Sequence, residues 1–382
     1  MTDPDTPTVP TTCVAIRSIV SADGTVTMSI HDVEVRKPGA REVTVRIEAA
    51  PINPSDLGTM FAGADLSTAK AHDGESIGVR VDLPNAALAA QERRFGKSLP
   101  CGSEGGGVVV AAGSSPDAQA LLGTTVGFVS GNSYAQYRSV SIDQCFPMPS
   151  GTSPEEAAAP FVNPLTALGM VDTMRSEGHT ALVHTVGASN LGLMLNRLCI
   201  ADGIALVNIV RRPEQIDLLR GLGAQHVVDS SSESFIDDLT EAVRVTGATI
   251  AFDAIGGGEL ASTVLSCMER VANASTGPDR RNDSSRHHQV YIYGGLDQAP
   301  TILRRDFGLS WGVGSWRLRP YLGRIGAERA EPLRRRVAAE ITSTFASSYG
   351  MRLSLAGVVD PDMVKEYGRR ATGLKALVTP HE

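Results

Sequence analysis

Residues Ala181–Gly192 read ALVHTVGASNLG: an apolar run, a turn of small residues, then the start of a helical pattern. Small side chains let a backbone approach a pyrophosphate closely, and the following helix N-terminus offers N–H groups and a positive dipole end. The turn comprises Gly187, Ala188, Ser189, Asn190, Leu191 and Gly192. It departs from the G-x-G-x-x-G spacing, because Ser189 stands where the second glycine belongs. Two readings are open at this point, a dinucleotide-binding turn and a plain strand–turn–helix.

The downstream sequence favours the first. Ala205–Val210 reads as the next strand and runs into Arg211-Arg212-Pro213-Glu214. A site for NADH places an acid near here, on the ribose 2′-hydroxyl. Two guanidinium groups instead suit a forked, charge-assisted grip on a 2′-phosphate, so NADPH is the expected cofactor. The plain alternative is that both arginines decorate a solvent-facing turn. Thr249–Gly257 (TIAFDAIGG) and Val290–Leu296 (VYIYGGL) repeat the theme of a strand ending in small residues. Between them, helical patterns fall at Leu191–Ala201, Glu214–Leu222, Ser234–Thr246 and Gly258–Met268, with a short strand at His226–Val228. Strands alternating with helices of this length predict a doubly wound parallel sheet.

Upstream, the character is β. Cys13–Val20 and Thr25–His31 flank Ala22-Asp23-Gly24 as a hairpin. Glu42–Ala50 alternates and stops at Pro51, and the Pro51–Asp56 turn predicts a short helix opening at Asp56. Val108–Ala112, Thr125–Phe128 and Tyr134–Val140 are further strands, so a small barrel-like domain is expected. Ala64–Pro100 is an excursion with a helical pattern at Asn85–Arg94. Ser153-Pro154-Glu155-Glu156 predicts a helix start. Asn273–Gln289 is polar and aperiodic, an expected exposed insertion, and its adjacent His287 and His288 lack partners at metal-ligand spacing. A long helix over Ala327–Ser347 precedes strands at Leu353–Val358 and Ala376–Val378, which complete the first domain. The expected division is residues 1–153 with 348–382, and an inserted domain at 154–347.

The composition of 382 residues fits two domains of an ordinary globular protein, with 42% hydrophobic and 20% charged residues. A net charge of −7 argues against a nucleic-acid or anionic-membrane partner. Cys13, Cys101, Cys145, Cys199 and Cys267 are dispersed, which fits buried thiols in a reducing cytoplasm rather than disulfides or a C-x-x-C metal site. No apolar run approaches the length that spans a bilayer. Met1–Thr12 is polar and rich in Pro and Thr, and reads as a loose tail.

Four stretches in order, Ala50–Asp56 (APINPSD), Gly102–Gly113 (GSEGGGVVVAAG), Ala157–Ala167 (AAAPFVNPLTA) and the Ala181–Gly192 turn, carry a family resemblance. The chain resembles the medium-chain dehydrogenase/reductase superfamily in its zinc-free quinone oxidoreductase and enoyl reductase branch. Ala371–Val378 (ATGLKALV) is similar to that family's closing strand. The resemblance implies an α/β architecture, a GroES-like β-barrel domain with an inserted Rossmann domain, and a homodimer joined through the cofactor domains at the edge of the Val290–Tyr293 strand. It further implies that Asn53 and Asn163–Thr166 lie beside the nicotinamide with Thr166 in contact, making Asn53 and Thr166 the catalytic candidates. Tyr293, Gly294 and Lys375 would then lie along the cofactor.

In zinc-dependent members the Gly102–Gly113 turn carries a histidine ligand before its glutamate; here Ser103 precedes Glu104. The early cysteine ligand is replaced by Asn53-Pro54-Ser55-Asp56. No metal is expected, and Glu104 is expected to order the turn through backbone N–H groups. Hydride delivery to an already electrophilic carbon, in a quinone or an α,β-unsaturated carbonyl, is the implied chemistry. Enoyl-thioester reductases of this branch carry a tyrosine at the position of Ala64, and no Tyr lies between Asp56 and Tyr134. An enoyl-thioester or catabolic enone reductase is therefore the second reading, and a cofactor-binding scaffold the third. Asp56 is read as a helix cap or a proton relay. Trp311 and Trp316 are read as core packing or as the wall of a substrate pocket.

Overall fold

The computed structural model describes residues 9–274 and 286–382. The first eight residues of the expected tail, and residues 275–285 of the expected insertion, lie outside the described residues.

The chain opens with a long hairpin, β1 (Thr12–Ser21) and β2 (Thr25–Glu34), paired from Thr12 opposite Glu34 to Ser21 opposite Thr25. Next come β3 (Glu42–Pro51) and α1 (Pro54–Phe61). The excursion builds a second hairpin, β4 (Asp65–Ala71) and β5 (Gly78–Asp82), which extends the first by pairing β5 with β2. Its Asn85–Arg94 stretch is one α turn followed by a 3-10 turn. Then follow β6 (Leu99–Pro100), β7 (Glu104–Ala112), β8 (Thr125–Val129), β9 (Tyr137–Ser141) and β10 (Cys145–Pro147).

The helix expected at Ser153 does not form. Ser153 and Glu156 make the reciprocal capping contacts, but only a 3-10 turn at Glu156–Ala158 follows. Pro160 disfavours helical backbone at Ala159, and α2 begins at Val162 and runs to Ser176.

Five strands then alternate with four helices: β11 (Ala181–Thr185), α3 (Asn190–Ala201), β12 (Ala205–Val210), α4 (Pro213–Gly221), β13 (His226–Asp229), α5 (Phe235–Thr246), β14 (Ile250–Asp253), α6 (Leu260–Ala274) and β15 (His288–Ile292). A further strand, β16 (Trp311–Ser315), pairs outside β15, so the Val290–Tyr293 strand is not the sheet edge expected from the sequence. The helix expected at Ala327–Ser347 is α7, Leu318–Ala339, interrupted at Gly326 where φ is 75°. Leu353–Val358 is not one strand. β17 (Met351–Leu353) ends where Ser354 caps a turn by accepting from the Gly357 N–H. After α8 (Pro361–Gly368) the chain closes with β18 (Ala376–Val378).

Two compact units result, one running to Val162 and resuming at Arg334, the other Asn163–Leu333. The expected boundaries at 153/154 and 347/348 thus leave the Glu156–Ala158 turn and the end of α7 on the wrong side. That turn packs under β7 and β8: a Cβ on Gly127 would meet the Ala157 carbonyl at 2.6 Å. Arg334 donates to the Cys145 carbonyl at 2.7 Å, with its guanidinium 3.8 Å above the Phe146 ring.

The first unit contains a five-stranded sheet, β4-β5-β2-β1-β6, and a seven-stranded one, β10-β8-β7-β3-β18-β17 with β9 also on β3. Alternate residues of these strands bury a core that includes Val43, Val45, Ile47, Val126 and Phe128. In the second unit all six strands are parallel, in the order β13-β12-β11-β14-β15-β16. Counted from β11, that is 3-2-1-4-5-6, the order of a Rossmann fold. Strands β11, β12 and β14 are almost entirely buried, as covering helices on both faces require.

Candidate active site

Each unit carries one constellation of functional side chains. In the second unit it lies where strand order reverses, between β11 and β14, at the carboxyl ends of the strands, the place where such sheets bind ligands. The turn after β11 begins with Val186 at φ 60°, a left-handed backbone that β-branched residues rarely adopt. Gly187 N–H donates to the Ile209 carbonyl at 3.1 Å, and a Cβ on Gly187 would meet the buried Asn208 side chain at 2.8 Å. Ser189 caps α3, its hydroxyl accepting from the Gly192 N–H at 3.1 Å. A Cβ on Gly192 would strike the Gly187 carbonyl oxygen. Ala188, Asn190 and Leu191 complete this close-packed turn.

The three strand ends are tied together by Thr185, Asp253 and His184, which the sequence reading did not single out, and by Tyr293, which it did. Thr185 Oγ1 donates to Asp253 Oδ1 at 3.0 Å and accepts from the Ala254 N–H at 2.8 Å. Asp253 also accepts from the N–H groups of Ile255 and Gly256, at 2.9 and 3.1 Å. His184 Nε2 lies 2.8 Å from the Tyr293 hydroxyl, and the two rings stack with centroids 5.8 Å apart. Burial pushes the His184 imidazole down to about 3, so it is neutral, and pushes the Tyr293 phenol up. The acid in TIAFDAIGG, at the end of an apolar strand, was the available signal for Asp253. Gly294 N–H donates to the Asp253 carbonyl at 3.3 Å, and a Cβ there would strike the Ala254 carbonyl.

Arg211 and Arg212 follow β12, both exposed, and no partner engages either guanidinium among the described residues. Asn163 and Thr166 lie in the first turns of α2, largely buried. Trp316 is buried and its indole N–H donates to Thr173 Oγ1 at 3.0 Å, which makes it a packing residue. His288 is buried within β15, its Nδ1 3.5 Å from Glu269.

In the first unit the constellation surrounds Asn53, the N-cap of α1. The helix opens at Pro54, not at Asp56. Asp56 is its third residue and reaches back to accept from the Asn53 N–H at 2.8 Å, so it serves the cap without being the cap. Its other oxygen accepts a short hydrogen bond from Ser103 Oγ. Glu104 orders a different turn from its own. Oε2 accepts from the N–H groups of Phe161 and Val162 at 2.7 and 3.0 Å, and Oε1 accepts from Asn53 Nδ2 at 2.8 Å. Burial raises both carboxyls above their ordinary range, against the pull of these donors.

Lys375 lies in this unit with Asn53, immediately before β18. Its ammonium is buried and hydrogen-bonds no group among the described residues. Burial pushes it down to about 8, against the attraction of Glu104 and Asp56. All five cysteines are buried free thiols, and burial pushes Cys101, beside this cluster in sequence, up to about 12.

A parallel sheet in 3-2-1-4-5-6 order with a close-packed turn after its first strand, in a chain whose other unit is built of β-sheets, is the architecture expected above, a Rossmann domain inserted in a β-sheet domain. Comparison with known proteins agrees: residues 191–275 match the family model described as zinc-binding dehydrogenase. The chain is similar over its whole length to the structure of a candidate NADPH:quinone reductase from Mesorhizobium loti, at 24% identity, covering 98% of this chain and 100% of that one, with a TM-score of 0.72. Escherichia coli quinone oxidoreductase complexed with NADPH superposes with a TM-score of 0.67 at 17% identity, covering 97% of this chain and 100% of that one. Among curated relatives, the bovine mitochondrial enoyl-[acyl-carrier-protein] reductase is 25% identical over 292 residues, 72% of this chain and 64% of the relative. The rat synaptic vesicle membrane protein VAT-1 homolog is 28% identical over 188 residues, 47% and 46% of the two chains. The chain thus spans about half to under two thirds of the length of these curated relatives. Among the described residues no helix is long and apolar enough to cross a membrane.

Proposed function

We propose that the chain is an oxidoreductase that transfers hydride from NADPH to a quinone or to an activated alkene conjugated with a carbonyl, without a metal. The observation that carries this reading is the Gly187–Gly192 turn at the switch point of a Rossmann sheet, packed so closely that no Cβ fits at either glycine. It fits the pyrophosphate of a dinucleotide, with Tyr293 and Gly294 at a neighbouring strand end. Arg211 and Arg212, exposed and unengaged, suit the 2′-phosphate of NADPH. When bound, the nicotinamide supplies hydride, and Thr166, Asn163 and Asn53 are the residues proposed to orient it.

The Asn53–Glu104 cluster does not fit a catalytic zinc. Glu104 and Asp56 already accept on both oxygens, Cys101 is held as a thiol, and the Lys375 ammonium opposes a second cation. Among the described residues no three or more His, Cys, Asp or Glu are grouped to hold a metal ion. On this reading the name of the matched family model describes a relationship and not a zinc requirement. A homodimer joined through the cofactor domains is part of the same proposal, with β16 rather than β15 as the edge strand on that side of the parallel sheet. Reduction of an enoyl thioester is the second reading, favoured by the bovine relative's name.

The deciding experiment is calorimetric titration with NADPH and NADH, followed by a panel of quinones and enones. NADPH should bind more tightly, and replacing Arg211 and Arg212 together by Ala should weaken NADPH at least about tenfold and leave NADH unchanged. Binding of neither nucleotide would overturn the proposal in favour of a scaffold role.

A further inference from the structure

Three Asp–Gly pairs occur in the chain, Asp23–Gly24, Asp73–Gly74 and Asp202–Gly203. At such a pair the glycine nitrogen can attack the aspartate side-chain carboxyl, because no Cβ shields it. The structure closes two of the three. Asp23 Oδ1 accepts from the Thr25 N–H at 3.2 Å and from the Thr25 hydroxyl at 2.7 Å, Oδ2 accepts from Arg80, and the Gly24 N–H donates to the Ser21 carbonyl at 3.2 Å. Asp202 Oδ2 accepts from Arg175 at 3.3 Å, and the Gly203 N–H donates to the Ile200 carbonyl at 3.3 Å. Asp73–Gly74 differs on each count. Both residues are exposed, in the turn between β4 and β5. Among the described residues neither the Asp73 carboxyl nor the Gly74 N–H has a hydrogen-bond partner. The His72 ring folds over the pair, so that a Cβ on Gly74 would lie 2.3 Å from His72 Nε2. A basic nitrogen is thus held against the Cα atom bonded to the attacking nitrogen. The turn is pinned on both sides: the His72 N–H donates to the Gly78 carbonyl and the Ile30 N–H to the Ile77 carbonyl, each at 2.9 Å.

We propose that Asp73 is a site of self-modification, where the Gly74 nitrogen closes a succinimide ring on the Asp73 side chain with His72 as the base. The inference goes beyond the reduction proposed above and does not depend on it. The C–N bond forms as His72 Nε2 takes the amide proton. That proton returns to the departing carboxyl hydroxyl, and one water is lost from the acid form of Asp73. No oxidant or cofactor takes part. Water then opens the ring at either carbonyl. Opening at the Asp73 backbone carbonyl leaves an isoaspartyl linkage: the chain runs through the side-chain methylene, and the former backbone carbonyl becomes a free carboxylate. The turn gains one methylene between its two pinned ends. An exposed isoaspartyl carboxylate is the group that an isoaspartyl carboxyl methyltransferase esterifies with S-adenosylmethionine, which gives the site a partner of defined chemistry.

The test incubates the folded full chain in heavy-oxygen water, since each ring opening leaves one heavy oxygen behind. After digestion in ordinary water, the peptides that carry the three Asp–Gly pairs are compared by mass, and isoaspartate is counted with the methyltransferase and labelled S-adenosylmethionine. Asp73 should take up heavy oxygen at least about tenfold faster than Asp23 or Asp202. In urea the three rates should converge, because the bonds that close the other two pairs are lost. His72→Gln should slow uptake at Asp73 in the folded chain about tenfold or more, with the far-ultraviolet circular dichroism unchanged. Gly74→Ala, whose Cβ displaces the imidazole and shields the nitrogen, should slow it as well. Equal uptake at the three pairs in the folded chain overturns the inference, as does a rate at Asp73 that His72→Gln leaves unchanged.

Discussion

Asn53 Nδ2 and Glu104 Oε1 meet at 2.8 Å, joining the cap of α1 to the first residue of β7. The bond makes one buried carboxylate serve both α1 and the Phe161–Val162 turn from which α2 starts. Asn53→Ala leaves Glu104 short of a donor and should cost about 1–3 kcal/mol. Asn53→Asp sets carboxylate against carboxylate and should cost more. Glu104→Gln is also destabilising, because its amide must turn an N–H towards a donor that is already there. Urea unfolding of the three variants checks the ranking.

Gly192 faces the Gly187 carbonyl with no room for a methyl group. Gly192→Ala must open the β11 turn, an overpacking of about 1–3 kcal/mol. Nucleotide binding in a calorimeter should fall below detection, while the far-ultraviolet circular dichroism keeps its wild-type shape.

Val186 sits at φ 60°. That conformation stores about 1–3 kcal/mol, whereas a glycine there adds about 0.5–1 kcal/mol of chain entropy to the unfolded state. Val186→Gly should therefore stabilise the protein by about 1 kcal/mol, read as a higher urea midpoint at unchanged slope.

His184 is neutral in the fold, its pKa taken from 6.5 to about 3 by burial. A base whose folded pKa is lowered contributes fully above the unfolded value and loses its contribution as pH falls through the interval below it. Between about pH 6.5 and 5 it should withdraw up to about 1.4 kcal/mol per pH unit. The raised Asp56 and Glu104 carboxyls act with the opposite sign, so the comparison is between wild type and His184→Gln. The variant should lack this part of the slope, as measured by denaturation across that range.

The Rossmann unit was legible because its strands are continuous apolar runs and its helices carry a period of 3.6. β16 escaped notice because Gly312 and Gly314 break the β pattern of Trp311–Ser315, and only pairing to β15 makes it a strand. Ser153 offered every local sign of a helix start, and Pro160 cancelled them. Leu353–Val358 reads as a mostly apolar run, but Ser354 caps a turn near its start. Asn53 and the Gly187–Gly192 turn could be picked out from short motifs. The setting of Lys375 could not, since it depends on pairing two strands from opposite ends of the chain, Ala50–Pro51 with Leu377–Val378.

That pairing orders events during synthesis. β3 is made early, but its neighbour β18 follows only after the whole Asn163–Leu333 unit has been translated. At about 5–20 residues per second the stretch from Pro51 to Ala376 takes about 16–65 s. For that time the inserted unit can fold, while the end of β3 at Ala50–Pro51 stands without its partner, the rest of that edge pairing early with β9. Chaperone dependence should then track the emergence of this last strand.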